Sequence, residues 1–297
     1  MLISDNSTKM LSVGVIGNGF VGQATSLFEN ENVRLYVYDI VPEKCRPEGL
    51  SLQELVSTTD MIFVCVPTPM KDTGECDTSI VESAIKSIRR ECEELRLYPH
   101  IIVRSTVTIG FCDHFKVNHM PEFLTEANWR YDFVNTSEWI VGVADNGCEE
   151  SFKGMIQTLL GMCVTSENIK SDKVTFVNTN TSEYVKYARN CFLAVKLSLC
   201  NEFYDFCQTK SIDYDESIKL IGMDPRIGTR YTKVPGPDGK KGWSGTCIPK
   251  DTASFVYQQK SLGLRPLVLE SAIERNNKID RVERDWMDIK NKGRTYQ

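Results

Sequence analysis

Histidine is scarce in this chain, three in 297 residues, and His100, His114 and His119 show no pairing pattern with one another or with a cysteine. That leaves no case for a metal site or for cysteine-protease chemistry. Basic charge is not in excess either: 35 Lys and Arg stand against 40 Asp and Glu, a net charge of −5. A nucleic-acid binder would usually show a basic face, so that class is disfavoured, although a local basic pocket for an anionic substrate stays open. No apolar run approaches the roughly 18–20 residues that span a bilayer. The segment Met1–Met10 is polar, without the apolar stretch of a signal peptide. The expectation is a cytoplasmic protein without membrane or nucleic-acid partners. Cysteine is plentiful at eleven, but the number is odd and no C-x-x-C pair occurs. Such cysteines read as reduced thiols, most of them small core residues, Cys65 and Cys191 for example.

What is present is an ordinary globular composition, 41% apolar and 25% charged, in a length that suggests about two domains. Strand patterns fall at Leu11–Gly17, Arg34–Ile40, Met61–Val66, Ile101–Ser105, Trp139–Val143 and Val174–Val177. Helical spacing follows at Phe20–Glu29 and Thr78–Leu95. This alternation predicts a Rossmann-like, doubly wound parallel sheet. Past Asn178 the pattern becomes helical: Thr181–Lys210 runs without Gly or Pro, and Asp213–Ile221, the stretch after Pro249, and Leu267–Lys290 read as further helices. The predicted division is α/β over 1–178 and a mainly helical domain with a long central helix over 179–297.

Gly17-Asn18-Gly19-Phe20-Val21-Gly22 ends the first strand and opens a helix. In such a fingerprint Gly17 allows the tight turn, Gly19 leaves room for a pyrophosphate, and Gly22 lets helix and strand pack closely. The helix N-terminus offers free N–H groups to the phosphates. Asp39 ends the second strand, where a carboxylate accepts hydrogen bonds from a ribose diol and repels a 2′-phosphate. The cofactor predicted is NAD rather than NADP.

Cys247 lies in Gly-Trp-Ser-Gly-Thr-Cys-Ile-Pro-Lys-Asp, with Pro249 suited to a first helical turn. A thiol there, three residues before Lys250, is expected to have a lowered pKa and act as a nucleophile; a buried structural cysteine is the alternative. Lys186 and Asn190, four apart on the long helix, share a face and together suit an oxyanion; a solvated lysine is the alternative. Glu122 and Glu126, after Pro121, read equally as surface carboxylates.

Cys-Ile-Pro-Lys-Asp, Glu-Tyr-Val-Lys-Tyr-Ala-Arg-Asn, Met-Pro-Glu-Phe-Leu-Thr-Glu, Arg-Ser-Thr-Val and Val-Pro-Thr-Pro together resemble the UDP-glucose/GDP-mannose dehydrogenase family. The resemblance implies a four-electron oxidation of a nucleotide sugar at C6 by two NAD, through a thiohemiacetal and then a thioester on Cys247. It also implies that Lys186 and Asp251 handle the alcohol proton and the oxyanion, with Asn190 supporting the substrate oxygen. Glu122 resembles the base for thioester hydrolysis. Thr106 and Glu126 would border the nicotinamide, and Lys44, Thr68 and Lys250 the rest of the cofactor, alongside Phe20 and Val21 of the fingerprint. Phe123, Leu124 and Thr125 would contact the sugar, and Arg226 resembles a residue reaching a neighbouring subunit's site, which fits a homodimer packed along the long helix. The Pro-Glu-Phe-Leu form is that of UDP-glucose and GDP-mannose enzymes, and UDP-glucose is the expected substrate.

Three departures stand out. Thr108 replaces a proline, Ser244 replaces a glycine where the backbone should approach substrate, and Pro237–Lys240 is a short insertion. Family members generally continue into a third, nucleotide-binding domain, and the expectation is a short form without it. Two rivals remain: a 3-hydroxyacid dehydrogenase, which needs no thiol, and a cofactor-binding homologue without turnover.

Overall fold

The computed structural model describes residues 10–287, within which the chain falls into two compact units. The first comprises residues 10–68 and 78–186, the second 69–77 and 187–287.

The first unit begins with β1 (Leu11–Ile16), α1 (Phe20–Thr25), β2 (Val33–Tyr38), α2 (Leu52–Thr58) and β3 (Met61–Val64). It continues with α3 (Ser79–Leu95), β4 (His100–Val103), α4 (Phe111–His114), β5 (Asn118–His119) and α5 (Trp129–Val134). Then come β6 (Trp139–Val143), α6 (Glu149–Thr165), β7 (Val174–Asn178) and the start of α7 (Thr179–Lys210). The rest of α7 belongs to the second unit, with α8 (Tyr214–Ile221), α9 (Ile248–Ser261) and α10 (Leu267–Arg275).

The seven strands form one sheet in the order β2-β1-β3-β4-β5-β6-β7. All neighbours run parallel except β5 and β6, which meet antiparallel at His119 and Gly142. Along β3 the side chains divide by alternation: Met61 and Phe63 join one buried cluster, Ile62 and Val64 the other. A sheet covered on both faces gives such unbroken apolar strands. The predicted doubly wound α/β fold is therefore present. Its order of strands reverses between β1 and β3, and ligands of open α/β sheets bind in the crevice beyond such a reversal.

Local chemistry sets the flanking helices. Ser51 and Glu54 form a reciprocal capping box at α2, at 3.1 and 2.8 Å, satisfying two N–H groups the helix cannot. Val81, Ile85, Ile88 and Cys92 make the inward stripe of α3 at helical spacing. In the second unit Tyr187, Cys191, Ala194, Ser198 and Asn201 point α7 inward, with the Tyr187 ring stacked on Phe255 at 5.9 Å.

The short elements α2, α4, β5 and α5 have no counterpart in the sequence expectation, and two longer ones differ from it. No helix was predicted between β6 and β7, where α6 lies. Gly154 and Gly161 lower its propensity, and burial of Phe152, Ile156, Leu159 and Leu160 outweighs them. The last predicted helix, Leu267–Lys290, ends as an α-helix at Arg275, followed by one wide turn over Asn276–Asp280. Asn276 is fully buried and pairs its amide with the Trp243 backbone at 2.8 and 3.0 Å, a partner helical periodicity does not reveal. Residues 288–290 of that prediction lie outside the described residues.

Candidate active site

The glycine turn fits a dinucleotide by its clearances. Gly17 has φ +93°, and a Cβ there would sit 2.6 Å from the Cys65 carbonyl oxygen. A Cβ on Gly22 would come within 1.9 Å of the Gly17 oxygen, whereas at Gly19 it would meet nothing within 4 Å. So Gly17 and Gly22 are forced by packing, and Gly19 faces open space, as a site for a pyrophosphate requires. At the end of β2, Asp39 accepts from the N–H of Asn18 on Oδ2 (2.8 Å) and of Val41 on Oδ1 (3.0 Å). An ionised carboxylate has about four acceptor positions, so two remain for a ribose diol. The Asn18 amide donates to the Lys44 carbonyl at 2.7 Å, tying the turn that carries Lys44 to the fingerprint. Thr68, beyond β3, is buried.

A second set of groups in the same unit lies beyond β4 and β5. Lys186 and Glu122 are 3% and 4% exposed and form a buried ion pair at 2.6 Å. The Lys186 ammonium also donates to the Glu122 carbonyl oxygen at 2.8 Å, while the other carboxylate oxygen accepts from the N–H of Leu124 at 2.7 Å. The Phe123 ring lies under the ammonium, 5.7 Å from centroid to Nζ. Thr125 is fixed by N–H and hydroxyl donation to Asp132, at 2.7 and 2.5 Å. Thr106 and Glu126 sit half-buried in the loops after β4 and before α5.

Residues not singled out in the sequence complete this set. Glu183, one turn before Lys186, accepts from the N–H groups of Gly110 (2.7 Å) and Cys112 (2.8 Å) and so pins the start of α7. Ser182 is hydrogen-bonded to His119 Nδ1. Burial first, then the charges of Lys186 and Arg104, push the His119 pKa from its ordinary 6.5 down to about 3, so the ring is neutral. Arg104 is the largest fully buried side chain among the described residues, with its guanidinium 6.0 and 5.8 Å from the Phe63 and Phe133 ring centroids. The one available signal was a charged residue closing an apolar strand.

In the second unit Cys247 caps α9 and Pro249 occupies its first turn. It is half-buried, whereas nine of the other ten thiols are buried and Cys148 alone is exposed. One turn on, Asp251 is wholly buried and accepts from Lys250 (2.8 Å) and from the Asn190 amide (2.6 Å). Burial works against the Lys250 charge, but the Asp251 carboxylate outweighs it and raises the Lys250 pKa. Cys247, Lys250, Asp251 and Asn190 are thus assembled by one helix start and one face of α7. Arg226 is apart from them: its exposed guanidinium folds back on Asp224 at 2.6 Å. Among the described residues no group of three His, Cys, Asp or Glu could hold a metal ion, and no helix is long and apolar enough to cross a membrane.

Comparison with known proteins bears on both units. Residues 48–160 match the NAD binding domain of the UDP-glucose/GDP-mannose dehydrogenase family, and residues 180–278 match the family's central domain. The UDP-glucose 6-dehydrogenase of Rickettsia bellii is 30% identical over 90% of this chain and 67% of its own length. That of Bacillus subtilis is 29% identical over 91% of this chain. The chain spans 63% of that relative's length. Among solved structures, a UDP-glucose dehydrogenase from the archaeon Pyrobaculum islandicum superposes with a TM-score of 0.76 at 25% identity, covering 93% of this chain and 70% of that one. A 3-hydroxyisobutyrate dehydrogenase of Mycobacterium tuberculosis shares the fold at TM-score 0.63 and 14% identity, over 91% of this chain and 93% of its own.

Proposed function

The chain belongs to the UDP-glucose/GDP-mannose dehydrogenase family, and from that premise we propose that it oxidises the C6 alcohol of UDP-glucose to the carboxylate by way of Cys247. The supporting observation is the placement of one half-buried thiol at a helix start, beside a buried Asp251 with two partners. A hydroxyacid dehydrogenase of the same fold has no use for that thiol. NAD, when bound, supplies the oxidising equivalents, one hydride acceptance for each of two steps.

The chain's own groups divide the remaining work, residues 1–178 holding the cofactor and 179–297 carrying the thiol. Gly17, Gly19 and Gly22, with the first N–H groups of α1 at Phe20 and Val21, hold the pyrophosphate, and Asp39 holds the ribose; Lys44, Thr68 and Lys250 border the rest. Asp251 takes the alcohol proton through a water while Lys186 and Asn190 donate to the developing oxyanion. The Cys247 sulfur attacks the aldehyde carbon, and a proton goes to its oxygen to give the thiohemiacetal. After the second oxidation the thioester is hydrolysed: Glu122 takes a proton from water, the C–S bond breaks, and the thiolate returns. Phe123, Leu124 and Thr125 seat the sugar, with Thr106 and Glu126 on the nicotinamide side.

The partner is a second copy of this chain in the cytoplasm. Phe192, Leu199, Phe203 and Phe206 are 72%, 47%, 41% and 60% exposed, and their spacing places them on one face of α7. Such a stripe marks an interaction surface rather than a solvated face. Arg226 then serves the neighbour's nucleotide phosphates with its planar fork. Sedimentation should show a dimer that Phe192→Glu dissociates; a monomeric wild type rules it out.

Turnover decides the reaction. With UDP-glucose and NAD, the reading requires two NADH per uronate, and Cys247→Ala should bind NAD but make no carboxylate. One NADH per 3-hydroxyacid with a ketone product, and none from UDP-glucose, would favour the hydroxyacid reading, and NAD binding without turnover the non-catalytic one.

A further inference from the structure

Ser244 and the stretch Pro237–Lys240 are gripped by one short segment, Arg281–Met287. The Ser244 hydroxyl donates to Asp285 Oδ1 at 2.5 Å. Arg281, 4% exposed, holds the same carboxylate through Nε (3.1 and 3.2 Å) and Nη2 (2.6 Å), and the same Nη2 reaches Asp238 Oδ2 at 2.6 Å. Lys240 donates to Glu283 at 2.8 Å and to Asp285 at 3.4 Å. The Trp286 ring stacks on Trp243 at 6.0 Å and 22°. The hydrogen bonds from Arg281 keep the Asp285 carboxyl well below the usual carboxylate range, so the clasp is ionic at any working pH.

The gripped loop runs directly into Cys247. Trp243 is held from below by the Asn276 amide and by its own indole N–H on Ser198 at 3.0 Å. Two glycines in this stretch, Gly242 and Gly245, have φ +72° and +84°, so the backbone has few internal restraints of its own. Ser244 is the one side chain between Trp243 and Thr246 that the 281–287 segment can hold by a charge-assisted hydrogen bond. We propose that Asp285, set by Arg281, is a positioning residue for Cys247: through the Ser244 hydroxyl it fixes the loop that presents the thiol at the start of α9. The Ser244 hydroxyl is then the handle for this clasp. The proposal rests on Cys247 being the nucleophile.

The test needs neither sugar nor cofactor. Alkylation of the full chain by iodoacetamide is followed thiol by thiol by peptide mass spectrometry, with exposed Cys148 as the internal reference. Asp285→Asn keeps the shape and removes the charge. Its Cys247 should react about fivefold more slowly relative to Cys148, because the thiol spends less time at the helix N-terminus. Ser244→Ala should do the same, the double variant should be no slower than either single one, and Asp285→Glu should recover most of the rate. A Cys247-to-Cys148 ratio that stays at the wild-type value or rises in Asp285→Asn overturns the proposal. So does a general rise in labelling of the nine buried thiols, which would make Asp285 a fold residue only. Should the wild type form no uronate while this labelling pattern holds, the functional reading fails and the clasp stands.

Discussion

One ammonium, that of Lys186, donates to both the carboxylate and the backbone oxygen of Glu122, at 2.6 and 2.8 Å, with almost no solvent on either side chain. The pair therefore has two properties at once. It holds a proton donor and a carboxylate in fixed register, and it leaves each dependent on the other for neutrality.

That dependence has a stability consequence. Lys186→Met strands a buried carboxylate, and Glu122→Gln a buried ammonium; either should cost about 3–5 kcal/mol. Removing both charges in Lys186→Met/Glu122→Gln should cost clearly less than the sum of the two single losses. Urea denaturation of all variants provides the cycle, and additive losses would show that the two charges do not depend on each other.

Asp39 is expected to enforce the choice of cofactor. Asp39→Ala removes a charged acceptor worth about 1.5–3 kcal/mol, so NAD should bind roughly tenfold to a hundredfold more weakly. The same variant should narrow the gap between NAD and NADP, because the repulsion of a 2′-phosphate is gone. Fluorescence titration with both reduced cofactors measures this, and comparable wild-type affinity for NADP would refute the assignment.

His119 should make the fold acid-sensitive. Its folded pKa of about 3 lies below its ordinary 6.5, so the unfolded chain binds the extra proton first. The stabilisation is whole above pH 6.5 and is lost as pH falls from there toward 3, by about 1.4 kcal/mol per unit while the difference lasts. His119→Gln should flatten the dependence of stability on pH between 6 and 4. An unchanged slope would place the acid sensitivity elsewhere.

How legible all this was in the sequence depends on range. The fingerprint was legible because every constraint on Gly17, Gly19 and Gly22 is local: a strand, a turn, a helix start and a close backbone contact. Cys247 was legible for the same reason, as a thiol just before a proline suited to a first turn. Lys186 and Asn190 could be placed on a common face of α7 by helical phase alone. Their partners could not be, since Glu122 is 64 residues from Lys186 and Asp251 is 61 from Asn190. Arg104 and Glu183 escaped for a related reason: beyond the apolar strand that Arg104 closes, nothing beside them in sequence distinguishes a buried charge from a solvated one. The long last helix was over-read because Asn276 and Arg281 are compatible with a helix until Trp243 and Asp285 claim their side chains.

The Glu122–Lys186 pair also imposes an order on biosynthesis. Residues 11–66 contain the strands and turns of the cofactor crevice, and a nascent chain can lay them down early. Glu122 follows, but its counter-charge emerges 64 residues later; Ser182, the partner of His119 Nδ1, comes 63 residues after that ring, and Glu183 comes 73 and 71 residues after Gly110 and Cys112, whose N–H groups it takes. Until α7 has cleared the ribosome through its second turn, the sheet's far half carries a carboxylate, two amides and an imidazole with nowhere to go. A released chain ending at Asn178 has all seven strands and should still be held open and protease-sensitive, whereas one ending shortly after Lys186 should resist digestion.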